Sequence, residues 1–176
     1  PWVMEYLNAR GLLGTVVQRF EWRDGRPLAP EDYRSDVLVA ITTHDHPPTA
    51  AYLAGTDLDL PEELGLLVGD VEEMRAEGRR QVEALTEFLD ERGLLPVEHE
   101  DEDVLGAMHS LVLSSPALLA AVSLADAVGE TRTQNQPGTF LEYPNWRIPL
   151  TDSNGVPVLL DDLFEHPRMR RLVDRL

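Results

Sequence analysis

Thr43, His44 and Asp45 close an almost unbroken apolar and β-branched run, residues 36–43, Asp-Val-Leu-Val-Ala-Ile-Thr-Thr. A run without alternation predicts a strand buried on both faces, the pattern of parallel sheets. In α/β barrels and open α/β sheets, residues at the C-terminal ends of such strands line the ligand site. A carboxylate there is costly to bury unless it is hydrogen-bonded or binds something. Two readings stay open. Either His44 and Asp45 face a polar ligand, or Asp45 caps the next helix while His44 packs in the core. A second cluster follows about ninety residues on: Gln134-Asn135-Gln136-Pro137-Gly138-Thr139, then Glu142-Tyr143-Pro144-Asn145-Trp146-Arg147. A Pro-Gly pair lets backbone approach a ligand, because glycine lacks a Cβ, or it makes a simple turn. Tyr143, Trp146 and Arg147 would stack on a ligand or lock the loop. Locking is the expectation, because aromatic side chains are mostly packed inside.

Other chemistry has less support. His44 and His46 suggest a metal site, but successive side chains alternate along a strand and no third ligand has suitable spacing. The acidic run Glu98 to Asp103 reads as a solvated connector. Asp152-Ser153-Asn154-Gly155 lacks the downstream Glu of a calcium loop and reads as a turn. No phosphate-cradling glycine motif and no serine elbow occurs.

The elements that must position these residues follow from periodicity and punctuation. Residues 1–10 predict a helix, with Pro1 suited to its first position, Val3, Tyr6 and Leu7 on one face, and Gly11 ending it. Thr15 to Phe20 is a short β-type stretch. Asp24-Gly25 and Pro27 to Pro30 mark a loop. The strand at 36–43 is followed, after Pro47-Pro48, by a helix from Thr49 to Leu53. Residues 57–65, with Pro61, read as a loop. Asp70 to Arg92 is a long helix with Val71, Met74, Val82, Leu85, Phe88 and Leu89 on one face and Gly93 at its end. Val104 to Leu113 is another helix, Leu118 to Leu124 a strand, and Asp126 to Pro149 a long polar loop of the kind that usually carries function. Val158 to Leu176 is one or two final helices, broken at Pro167. Buried strands alternating with helices predict an α/β architecture. Three parallel strands do not complete a sheet, so unpaired edges are expected.

Composition narrows the function. The 176 residues carry 32 acidic and 15 basic side chains, a net charge of −17, which disfavours nucleic acid and anionic membranes as partners. All the basic residues are Arg. The absence of cysteine excludes disulfides and thiolate metal sites. No apolar run approaches the roughly 18 residues needed to span a bilayer, and the first residues do not lead one to expect a signal peptide. A cytoplasmic protein is the expectation. The first residues, Pro1-Trp2-Val3-Met4, read like a cut in the middle of something longer.

The segment Ile41-Thr42-Thr43-His44-Asp45-His46-Pro47-Pro48-Thr49-Ala50-Ala51-Tyr52-Leu53 resembles the Thr-His-Asp-x-Pro segment of glycoside hydrolase family 77, the 4-α-glucanotransferases. The second cluster resembles that family's Asn-x-Pro-Gly-Thr and Glu-Tyr-Pro-Asn-Trp signature. Arg10-Gly11 and Val16 to Glu21 also fit, as the sixth strand and its approach. His46 departs mildly, standing where the family often has an aliphatic or small polar residue. The resemblance implies a (β/α)₈ TIM barrel, with residues 1–176 as its C-terminal part, about three strands with helices, and no separate second domain. It implies a retaining transfer of α-1,4-glucan segments to the 4-hydroxyl of an acceptor sugar, without a cofactor. It implies that Asp45 is the third catalytic carboxylate, paired with His44, and that Asn135, Pro137 and Gly138 lie on a loop near the donor sugar. The partners implied are maltooligosaccharides or α-1,4-glucan, together with the N-terminal part of the same barrel. The family's nucleophile Asp and acid/base Glu are not among these residues, so the chain alone is expected to be inactive.

Two rival functions remain in view. An α-amylase-type hydrolase shares the His-Asp strand end but is usually followed by a β-sandwich, and nothing after residue 150 reads as strands. A non-catalytic glucan-binding module would bind glucan without turnover.

Overall fold

A computed structural model describes residues 2–176 of the protein, apart from the Met4 side chain, so the expectation for Pro1 lies outside the described residues. Helix α1 (Trp2–Asn8) ends before Gly11, whose φ of 63° suits the glycine expected there. Strand β1 (Gly14–Val17) runs into a 3₁₀ turn at Gln18–Phe20. A small hairpin of β2 (Trp22–Arg23) and β3 (Arg26–Pro27) follows. Its turn, Asp24-Gly25, takes positive φ at both positions, 53° and 76°, as a tight two-residue hairpin turn requires. Strand β4 (Val37–Ala40) lies at the centre of the predicted apolar run.

The helices then come in sequence: α2 (Thr49–Leu53), α3 (Asp59–Glu63), α4 (Val71–Glu91) and α5 (Asp101–Leu113). Strand β5 (Leu119–Ala120) and helix α6 (Leu124–Val128) follow, and α7 (Leu160–Leu163) and α8 (Pro167–Val173) close the chain. The three longer-range strands form one parallel sheet in the order β1-β4-β5. Val16, Val37, Val39 and Ile41 share a core with Leu85, Leu89, Met108 and Leu111 of α4 and α5. Among the described residues, no helix is long and apolar enough to cross a membrane.

The long helix forms as predicted. Asp70 caps it, its side chain accepting the Glu73 N–H at 3.1 Å, and Gly93 leaves it with φ 69°. The final pair of helices breaks at Pro167, which opens α8 as its first residue.

Five expectations are corrected. Residues 57–65 are not a loop, because α3 occupies their middle. Pro61 stands in the first turn of α3, where its missing N–H has no intrahelical partner to lose. Helix α5 starts at Asp101, ahead of Val104, because the Asp103 side chain accepts the Glu100 N–H at 3.2 Å and closes its first turn. The acidic run is therefore more than a solvated connector. Glu102 takes Arg168 at 3.0 Å and Arg171 at 2.6 Å, and Asp103 takes Arg175, docking α8. Residues 118–124 contribute only a two-residue strand, because Ser123 accepts the Ala125 N–H at 3.2 Å and starts α6. Strand β4 is buried on one face only: Val37 and Val39 are sealed, while Leu38 and Ala40 are half-buried. Helices of this chain cover one side of the sheet, and the other side keeps partial exposure.

Candidate active site

The backbone leaves β4 and turns sharply at Thr43, whose carbonyl accepts the His46 N–H at 3.2 Å. The Thr43 hydroxyl braces the same turn, lying 2.8 Å from His46 Nδ1 and 3.4 Å from the Asp45 N–H. The His46 ring meets the Phe20 ring edge-on at 4.9 Å, which ties the turn to the 3₁₀ turn after β1. Burial, and then the Arg19 charge, lower the pKa of His46 and favour the neutral ring. His44 and Asp45 stand clear of this packing, with side chains 58% and 49% exposed.

Neither bland reading of that pair survives. Helix α2 has Pro48 at its N-cap, which lends no side chain, and its first N–H, that of Thr49, goes to Asp126 instead of Asp45. His44 is exposed rather than packed in the core. Instead Asn135 Nδ2 donates to Asp45 Oδ1 at 2.6 Å, and His44 Nε2 lies 3.4 Å from the same oxygen. Both groups converge on Oδ1. Among the described residues Oδ2 has no protein donor. A half-exposed carboxylate with one oxygen held and the other open can accept a hydroxyl from a ligand at a fixed angle.

The loop that carries Asn135 is built from polar bonds rather than from regular structure. Gln136, Pro137, Gly138 and Thr139 form a tight turn in which Thr139 N–H returns to the Gln136 carbonyl at 3.3 Å. Pro137 fits its second position, and Gly138, with φ 86°, its third. A Cβ on Gly138 would only touch Leu66 at 3.7 Å, so the φ, not lack of space, calls for glycine there. Asn145 is the internal brace: its Oδ1 accepts the Gln136 N–H at 2.7 Å, and its Nδ2 donates to the Thr139 hydroxyl at 2.8 Å. Tyr143 locks the loop through its hydroxyl, which donates to the Thr133 carbonyl at 2.6 Å.

Trp146 departs from expectation. It is not buried as a lock: the residue is 62% exposed, its ring lies 5.1 Å from the His44 ring, and its φ is 61°. A non-glycine residue in this region is strained, which is tolerated where the surroundings dictate the geometry. Here the Trp146 N–H is tied back to the Gln134 carbonyl at 2.9 Å. The sequence signal that could have marked Trp146 is its direct flanks, Asn145 and Arg147, both polar, within a loop that has no apolar period.

The structure thus brings Asp45, His44, Asn135 and Trp146 together. Pro137 and Gly138 sit at the exposed tip of the turn beside Asn135, and among the described residues neither hydrogen-bonds to Asp45. No group of three His, Asp or Glu side chains suited to a metal occurs among the described residues.

The family profile described as 4-alpha-glucanotransferase matches residues 1–154. This chain belongs to glycoside hydrolase family 77, the 4-alpha-glucanotransferases. It is 46% identical over 181 residues to a 4-alpha-glucanotransferase of Mycobacterium tuberculosis, covering 99% of this chain and 25% of that protein. A 4-alpha-glucanotransferase of Haemophilus influenzae is 29% identical over 149 residues, covering 80% of this chain and 21% of that one. Among solved structures, the amylomaltase of Corynebacterium glutamicum superposes with a TM-score of 0.91 at 38% identity, across 99% of this chain and 27% of its own. The amylomaltase of Streptococcus agalactiae in complex with acarbose shares the fold, with a TM-score of 0.57 at 18% identity. The chain therefore spans about a quarter of the length of these family members.

Proposed function

We propose that residues 1–176 form the C-terminal part of a (β/α)₈ barrel and supply part of the sugar-binding wall of a 4-alpha-glucanotransferase. The enzyme transfers α-1,4-glucan segments between maltooligosaccharides by a retaining double displacement. The nucleophile and the acid/base belong to the rest of that barrel. The half-buried second face of the sheet, with Leu38 and Ala40, supports this reading, because a barrel interior would cover it.

The observation that carries the proposal is the 2.6 Å bond from Asn135 to Asp45, which joins the two signature motifs at the C-terminal end of a parallel strand. During transfer the sugar ring flattens toward an oxocarbenium ion, and hydrogen bonds to its hydroxyls tighten in that geometry. Asp45 is the acceptor for those hydroxyls. Asn135 and His44 fix its orientation through Oδ1, so no reorganisation is needed as charge develops. Pro137 and Gly138 set the turn that presents Asn135 near the donor sugar. Holding water away from the covalent intermediate is the task of the 126–149 region together with the remainder of the barrel.

The test uses the full-length enzyme and maltotriose. Asp45→Asn is expected to lower the disproportionation rate by roughly 10²–10³-fold, on the order of 3–4 kcal/mol, while leaving the melting temperature in place. A near-normal rate would end the proposal. Longer and shorter oligomers as products indicate transfer, whereas accumulating reducing ends indicate an α-amylase-type hydrolase. The 176-residue chain by itself is expected to show no turnover.

A further inference from the structure

Two carboxylates outside the sugar-binding reading are buried: Asp126 at 4% exposure and Glu130 at 1%. Asp126 lies within α6, and Glu130 follows its left-handed terminus, Gly129. A buried carboxylate persists only where donors satisfy it, so the source of the donors shows what the group holds together.

Asp126 holds the segment that follows Asp45. Its Oδ1 accepts the Thr49 N–H at 3.3 Å, and its Oδ2 accepts the Thr49 hydroxyl at 3.0 Å. Thr49 is the first residue of α2, and Pro48 before it lends no cap. Asp126 thus caps α2 from another part of the chain. His109 of α5, 1% exposed, supports it from behind, with Nε2 at 3.2 Å from Oδ2. Among the described residues His109 Nδ1 is buried without a hydrogen-bond partner, so Nε2 is the ring nitrogen that engages Asp126.

Glu130 holds the loop that carries Asn135, and it holds both ends. At the start of the loop, the Arg132 N–H and Nε donate to Oε1 at 2.8 and 3.0 Å, and Arg132 Nη2 donates to Oε2 at 2.7 Å. At its far end, the Thr151 N–H and hydroxyl both donate to Oε2 at 2.9 Å. Arg132 Nη2 also reaches the Pro149 carbonyl at 2.6 Å. One short segment, 126–130, therefore grips the two parts of the chain that meet at the Asn135–Asp45 bond.

We infer that Asp126 and Glu130 are positioning residues for glucan transfer, registering Asn135 against Asp45 from behind the site. The inference rests on the sugar-binding role given to Asp45 and Asn135 above. The Asn135–Asp45 bond is partly exposed to water and has little strength of its own to hold two loops in register. The sealed carboxylates supply that register. A reacting group displaced by about 1 Å loses on the order of 10²-fold in rate, which sets the size of the expected effect.

The experiment is a double-mutant cycle on the full-length enzyme with maltotriose. Glu130→Gln keeps the size of the side chain but replaces one acceptor with a donor. It is expected to lower kcat by about 10²-fold with little change in KM. In an Asn135→Ala background the same change is expected to cost little more, since the contact it positions is already gone. Thr151→Val, which removes the hydroxyl that donates to Glu130 and accepts from Arg132 but keeps the Thr151 N–H bond, is expected to give a smaller fall that also vanishes in that background. It serves as the deciding variant if Glu130→Gln does not fold. Equal effects of Glu130→Gln or Thr151→Val with and without Asn135 would overturn the inference and leave Glu130 a scaffold residue. Full activity of Asn135→Ala alone would instead overturn the sugar-binding assignment beneath it.

Discussion

The core beneath the sheet and the loop at 131–150 are held by different physics. Leu85, Leu89, Met108 and Leu111 pack against Val37 and Val39 at no more than 1% exposure. In the loop Phe140, Leu141 and Trp146 are 62–79% exposed, and the backbone is fixed by Asn145, Tyr143 and Glu130 instead. Apolar burial is strong but non-directional, whereas hydrogen bonds fix angles as well as distances. The core therefore sets whether the chain folds, and the polar bonds set where Asn135 points. A site that must hold its groups within a fraction of an ångström is served better by the second kind of restraint, mounted on the first.

The sharpest way to break this contrast is a pair of substitutions in the full-length enzyme. Leu89→Ala, at 0% exposure, is expected to cost about 2–5 kcal/mol of stability, the range for a core truncation that leaves a cavity. Molecules still folded at low temperature should keep their rate on maltotriose. Asn145→Ala is expected to do the reverse. It strands the Gln136 N–H and frees the Thr139 hydroxyl, a local loss of roughly 1–3 kcal/mol. The rate should fall while the main thermal transition barely moves. If the melting temperature tracked activity in both variants, the two regions would be one cooperative unit and the contrast would be wrong.

The same division explains what could be read from the sequence. Strand β4, helix α4 and its Gly93 terminus follow from an apolar run, a helical stripe and a glycine, all local signals. Helices α3 and α6 were hidden because each is only five residues long and, unlike α2 of the same length behind Pro47-Pro48, neither has a start signal that sets it apart from a turn. A single helical turn shows no period, and Pro61 and Ser123 mark turns as readily as helix starts. For the site, the position of Asp45 at a strand end was legible, but its partner was not. Nothing in the spacing of Asp45 and Asn135 predicts a 2.6 Å bond; only the resemblance to the family paired their motifs. Glu130 gave no signal at all, because a lone Glu after a glycine looks like surface.

A milder substitution sharpens the comparison within the loop. Tyr143→Phe removes the 2.6 Å bond to the Thr133 carbonyl but keeps the ring, an expected loss of about 1 kcal/mol. Asn145 and Glu130 still hold the backbone, so the fall in rate should be smaller than for Asn145→Ala. A larger fall would move the main brace of the loop to Tyr143.

The smallest effect expected is on pH, and it separates the two segments that meet at the site. Burial, followed by the Arg19 charge, lowers the pKa of His46 from its ordinary 6.5. The folded state then prefers the neutral ring, so the His46 contribution is complete above pH 6.5 and is lost as pH falls through the lowered value. Glu130 differs. Burial pushes its carboxyl up, but the bonds from Arg132 and Thr151 outweigh this and hold it below its ordinary 4.5. Its contribution is complete above pH 4.5 and fades only further down. Acidification from neutrality should therefore weaken the Thr43–His46 turn first, while the clamp on the 131–150 loop stays intact. Melting curves of the full-length enzyme on the acid side of neutrality should show a small loss of stability that His46→Gln, which cannot titrate, removes. An unchanged pH slope in that variant would assign the loss to other groups and leave the turn as insensitive to acid as the clamp.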